Sequence, residues 1–121
     1  MTAPFAIDRP EVVHQAVCEV LTGIFPTVSM EALLSSDRIN ATTAWVRQAG
    51  MYLMAARFAV GQSKAAQQWG RDRSTVSHAV QLASQEIERR PATAAFFDFL
   101  EQQVRSALDR YAAVEAEWGS V

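Results

Sequence analysis

Apolar residues recur along most of the chain at intervals of three and four, the spacing of one face of a helix. The strict alternation of a half-buried strand is hard to find. From Pro10, the apolar positions Val12, Val13, Ala16, Val17, Val20, Leu21 and Ile24 form one stripe. Pro10 suits a first helical turn, and Gly23 and Pro26 suit its end. Ser29 precedes MEALL with Glu31 in the first turn, which predicts a short capped helix over 29–35. The stretch SSDRINATT (35–43) reads as a loop.

A third helix is expected from Thr43 to Val60, carrying Trp45, Val46, Ala49, Leu53, Ala56 and Val60, with Gly61 ending it. Ser63 then caps a short helix, KAAQQW, that stops at Gly70. Asp72 precedes a longer pattern, Val76, Ala79, Val80, Ala83 and Ile87, which ends before Pro91. The last helix is expected from near Thr93. Its apolar residues Phe97, Leu100, Val104, Ala107, Tyr111, Val114 and Trp118 are spaced 3, 4, 3, 4, 3, 4, a heptad. Such a seam serves either one long helix packed on its own domain or a pairing surface between chains. The fold class is therefore all-α, a helical bundle.

Composition narrows this further. The 121 residues fit one domain, since domains most often run to about 100–150 residues. Half of them are hydrophobic, enough for a core. No apolar run approaches the roughly 20 residues a membrane span needs, and no secretory leader is expected at the start. A single cysteine, Cys18, excludes an internal disulfide and fits a cytoplasmic protein.

The formal net charge of −2 argues against an anionic partner until it is divided along the chain. Residues 1–37 hold five acids and one arginine, and residues 86–121 hold seven acids and four arginines. Between them, residues 38–85 carry Arg38, Arg47, Arg57, Lys64, Arg71 and Arg73 against Asp72 alone, a net of +5. A basic centre between acidic ends points to an anionic partner for that segment.

The same segment predicts a short helix, a tight glycine-containing turn and a longer helix, the order of a helix-turn-helix. In that arrangement the start of the second helix meets base edges in the major groove. Here the start is Arg71, Asp72, Arg73, Ser74, Thr75, Ser77 and His78, while Val76, Ala79, Val80 and Ala83 gather on the other side. Arg73 has the fork that grips guanine O6 and N7, and Asp72 can accept from cytosine N4. Ser74 and Thr75 are short hydroxyls suited to phosphate or base contact. Each also has an ordinary structural use: Asp72 as an N-cap, Ser74 and Thr75 as first-turn residues, Ser77 and His78 as a solvated face.

GRDRSTVSHAV at 70–80 resembles the signature of the C-terminal DNA-binding domain of the bacterial replication initiator DnaA, which reads approximately G-G-R-D-H-[ST]-T-V-x-H-A. Gly70, Arg71, Asp72, Thr75, Val76, His78 and Ala79 match, with Ser74 as an allowed variant. VRQAGMYLMAAR at 46–57 is similar to a second block of that family, through Arg47, Gln48, Met51, Tyr52 and Leu53. The spacing between the blocks agrees to within one residue, and the resemblance covers about residues 10–103.

It implies a DnaA-like domain over 10–103, with an N-terminal arm (1–9) before it and a C-terminal helix extension (104–121) after it. It implies base contacts from Asp72, Arg73 and Ser74 and phosphate contacts from Arg47, Gln48 and Thr75. Lys64, Arg71 and His78 join the phosphate set, and Arg38 is the candidate for the adjacent minor groove. Four departures bear on the preferred site and the affinity. Arg73 stands where the family has histidine, and an arginine fork has more donors than an imidazole, so the preferred site should differ or relax. One glycine of the turn is missing. The loop 35–42 holds only Arg38, with Asp37 beside it, and Ala55 stands in place of a family lysine, with Arg57 nearby.

Other chemistry finds little support. No G-x-x-x-x-G-K-[ST] loop occurs, so no nucleotide is expected. His14 and Cys18 share a helical face, too few ligands for a metal. Glu86 and Glu88 lie on different faces of a helix. Ser74 or Ser77 with His78 lacks a strand-to-helix nucleophile elbow. Trp45, Trp69 and Trp118 read as core anchors. The expectation is a non-enzymatic, nucleoid-associated protein with no catalytic residue, metal or cofactor. It binds double-stranded DNA sequence-specifically and regulates transcription or replication initiation by site occupancy. The alternative is a helical interaction module that has lost DNA binding and forms a homodimer or binds a partner protein through its C-terminal helix.

Overall fold

Six helices carry the residues described by the computed structural model, 9–35 and 40–119, with no strand among them. They are α1 (Pro10–Ile24), α2 (Met30–Leu34), α3 (Ala41–Tyr52), α4 (Gln62–Trp69), α5 (Arg73–Arg89) and α6 (Pro91–Gly119). A π-helical turn, Leu53–Arg57, continues α3.

Local signals set most of the boundaries. Pro10 is the first residue of α1, where its missing N–H costs nothing. The Ser29 hydroxyl accepts from the Ala32 N–H at 3.1 Å and starts α2. Asn40 does the same for α3, accepting from the Thr43 N–H at 2.8 Å, so the helix begins at Ala41, two residues before the expected Thr43. Pro91 likewise opens α6 two residues ahead of Thr93.

The end of α3 departs from expectation. A regular helix does not run on to Val60. After Tyr52 the turns widen: the Phe58 N–H bonds the Leu53 carbonyl at 3.0 Å, and the Val60 N–H reaches the Met54 carbonyl at 3.2 Å. The wider turn lets consecutive Leu53 and Met54 both bury fully, and Phe58 and Val60 follow them into the core. Ala59 closes the segment in the left-handed region at φ +54°, a conformation that usually falls to glycine. Gly61, at φ +89°, instead precedes α4 as its N-cap residue, and Ser63 lies inside α4 rather than capping it.

The centre of the molecule is α3, which buries Val46, Ala49, Gly50, Met51 and Tyr52. Gly50 is the point of closest approach. A Cβ there would lie 2.6 and 2.8 Å from Trp69 Cζ2 and Cη2, so the indole occupies the space a side chain would need. Trp69 is buried as expected, edge-on to His14 at 4.7 Å between centroids.

α6 runs antiparallel to α1. Phe96 near its start packs on Phe25, the Tyr111 hydroxyl donates to the Glu19 carboxylate, and Glu115 pairs with Arg9 at 2.7 Å. Phe97, Leu100, Val104 and Ala107 are buried and Tyr111 partly so. The first five members of the heptad are thus spent within the chain. Val114 and Trp118 are 54% and 74% exposed, so Trp118 is not a core anchor. Arg9, at the head of α1, is already level with Glu115, and Trp118 lies beyond the end of that helix.

Candidate nucleic-acid interface

Between α4 and α5 lies a three-residue turn, Gly70–Asp72. Gly70 takes φ +62°, its N–H bonds the Gln67 carbonyl at 3.3 Å, and the Arg71 N–H bonds that of Ala66 at 2.9 Å. These are the two bonds of a Schellman cap, and the left-handed residue they need is glycine here. Asp72 has the extended backbone of an N-cap, and its carbonyl accepts from the Thr75 N–H. Its carboxylate makes no capping bond and is exposed. The structural use that sequence allowed Asp72 is thus filled by its backbone, leaving the side chain available.

α5 buries Val76, Ala79 and Ala83. Helical geometry then sends Ser74, Ser77, His78 and Gln81 outward, with Thr75 and Arg73 on opposite flanks. All six are exposed.

The flanks lead into two shallow grooves. On the Thr75 side, Arg47 and Gln48 from α3 meet Arg71 and Thr75, with Ala44 and Met51 completing the lining. On the Arg73 side, Lys64 and Gln67 of α4 meet Arg71, Asp72 and Arg73. Arg71 belongs to both. Four of the six residues expected to hold phosphate, Arg47, Gln48, Arg71 and Thr75, therefore line one groove, and Lys64 lines the next. His78 and Ser74 lie on the outward strip and line neither. Arg38 lies outside the described residues.

Two guanidiniums are held by main-chain oxygens. Arg47 donates through Nε to the Leu33 carbonyl at 2.9 Å and through Nη2 to that of Ala32 at 2.8 Å. Arg71 donates through Nη2 to the Ser35 carbonyl at 2.6 Å. Burial, and then the adjacent Arg71 charge, push the Arg47 guanidinium down from its ordinary value. Among the described residues, no carboxylate pairs with Arg47, Lys64, Arg71 or Arg73.

Arg57 is used differently. It bonds Asp98 at 3.0 Å and Glu101 at 2.9 Å on α6, and its Nε donates to the Tyr52 hydroxyl. Its charge is matched by these two α6 carboxylates, so it adds no unpaired charge to either groove.

The carbonyls of Ala32, Leu33 and Ser35 were not legible as part of this site. The one signal was the short helix itself, whose last carbonyls lack partners within the helix and attract cations. Among the described residues, no group of three or more His, Cys, Asp and Glu side chains is placed to hold a metal ion. His14 Nε2 and Cys18 Sγ are 3.6 Å apart within the packing around Trp69. No described helix is long and apolar enough to cross a membrane. No protein-family model, curated protein or solved structure matches the chain.

Proposed function

We propose that this chain binds double-stranded DNA sequence-specifically, with α4 and α5 as a helix-turn-helix of the DnaA C-terminal kind. On this reading it acts by occupying sites at a promoter or replication origin, as a nucleoid-associated protein without ATPase chemistry of its own. The observation that carries the reading is the convergence of Arg47 and Gln48 from α3, Arg71 from the turn and Thr75 from α5 on one open groove, with no carboxylate lining it among the described residues. Lys64 and Arg73 supply positive charge on the other flank of α5. A helix lying in the major groove has a sugar-phosphate strand on each side and bases beneath, and the cationic flanks and polar outward strip of α5 match that order. Asp72, Arg73 and Ser74 are the base-reading candidates at its start.

The test is duplex binding across a salt series, after selection of bound duplexes from a random pool. Arg47→Ala should weaken all sequences alike and lower the salt slope by about 1, whereas Arg73→Ala should cost about 1–3 kcal/mol and relax one position of the site. A wild-type chain that shows neither salt-dependent nor sequence-selective binding defeats the proposal.

One observation favours a second reading, a protein-interaction module: the exposed Val114 and Trp118 at the end of α6. It predicts a dimer or hetero-complex that duplex DNA does not perturb. Truncation after Tyr111 tests it by the change in solution mass. A cut as early as Ser106 would remove buried Ala107 and Leu108 and confound the result.

A further inference from the structure

Two like charges that share a groove repel, and a fold that brings them together must hold them there. Arg47 and Arg71 share their groove without a carboxylate among the described residues, and what holds them is the C-terminal end of α2. A guanidinium has five N–H donors in a rigid plane. Arg47 spends two of them on the Ala32 and Leu33 carbonyls, and Arg71 spends one on Ser35. Both side chains, with donors left over, line the groove that Gln48 and Thr75 also line. A helix of five residues has little stability of its own. α2 is kept by the Ser29 cap, by buried Leu33 and by these two arginines.

We propose that α2 is a positioning element for phosphate recognition: its carbonyls orient Arg47 and Arg71 so that their free donors present a preformed site for one phosphodiester oxygen pair. This rests on the DNA-binding reading for the identity of the ligand, not for the existence of the site. It makes α2 necessary for tight binding although α2 contributes no side chain to either groove. It also separates charge from geometry. Lysine keeps the charge at position 47 but cannot bond two carbonyls in a plane and still face an anion.

The test compares Arg47→Lys, Ser29→Ala and Ser29→Thr with wild type, by duplex binding over a salt series. Arg47→Lys should lose about tenfold in affinity with an unchanged salt slope, since the number of neutralised phosphates is kept. Ser29→Ala, which removes the α2 cap and touches no groove residue, should weaken binding about two- to tenfold, again with the slope unchanged. Ser29→Thr restores a capping hydroxyl and should restore affinity. Wild-type affinity in Ser29→Ala, with amide exchange showing α2 frayed, overturns the positioning role and leaves DNA binding standing.

A chain that binds no duplex overturns the DNA reading, and inorganic phosphate then decides the site. Added to the wild-type chain, phosphate should shift the Arg47 and Arg71 Nε–H resonances, and shift them less in Ser29→Ala. Resonances unmoved by phosphate in both proteins overturn the inference as well.

Discussion

Replacing Gly50 with alanine should destabilise this protein, although the same change in an ordinary helix interior stabilises by about 0.5–1 kcal/mol. The new Cβ would sit 2.6 Å from Trp69 Cζ2, 2.8 Å from Cη2 and 3.1 Å from Leu21 Cδ1. Carbon atoms in good contact stand about 3.5–4.0 Å apart, so the overlap with the ring approaches 1 Å. The indole cannot turn away freely: Trp69 is buried, packs edge-on against His14, and is the last residue of α4 before the Gly70 cap. Overpacking of this kind costs about 1–3 kcal/mol, and subtracting the helix gain leaves a net loss of about 1–2 kcal/mol. At this chain length that lowers Tm by about 4–8 °C. Thermal and urea unfolding followed by tryptophan fluorescence would measure it.

Trp69→Phe removes the two ring atoms that clash. The double variant Gly50→Ala/Trp69→Phe should therefore be more stable than the sum of the single changes by about 1 kcal/mol. A Gly50→Ala protein that melts at or above the wild-type temperature, or a double variant that is merely additive, refutes the reasoning.

Ala59 holds a left-handed backbone at φ +54°, so Ala59→Gly should raise the urea midpoint by the equivalent of about 0.5–1 kcal/mol, and a lower midpoint would contradict the strain. Burial, with the Glu19 charge adding to it, pushes the Cys18 thiol up to about 12, so the folded protein should resist alkylation at pH 8 and label rapidly only in denaturant. Burial raises the Glu101 carboxyl, but hydrogen bonds from Arg57 and Arg105 outweigh it and hold the group below its ordinary value of 4.5. The stability this contributes is therefore present above that value and lost as pH falls through the lowered one. Glu101→Gln should cost about 1 kcal/mol at pH 7 and progressively less in urea titrations below pH 4.

The helices were legible where one local signal decided them. Pro10, Ser29 and Gly70 each act on their own turn, and all three stand where the chain indicated. Segments governed by packing were not. The π turn exists because Leu53, Met54, Phe58 and Val60 all find room inside, and apolar spacing alone cannot distinguish a widened turn from a regular one. Gly50 was silent in the sequence because its role lies in the ring of a residue on another helix. In the candidate site, the side chains from two separate stretches were identifiable by type. Their convergence, and the main-chain oxygens that hold two of them, depend on how α2, α3 and α5 come together. The heptad of α6 was visible, but the point at which it leaves the domain is set by where α1 begins, which spacing does not encode.

A π turn contains one more residue than the α turn it replaces, so the chain between α3 and α4 carries a residue of slack. Ala55 and Ala56 sit in that turn with small side chains, Ala56 exposed. Deleting one residue here would rewind the turn to a regular α turn, and would also rotate Phe58 and Val60 away from the positions at which they are buried. The extra residue is therefore already committed: the core residues on either side of the turn fix the length of chain that joins the two halves of the candidate interface.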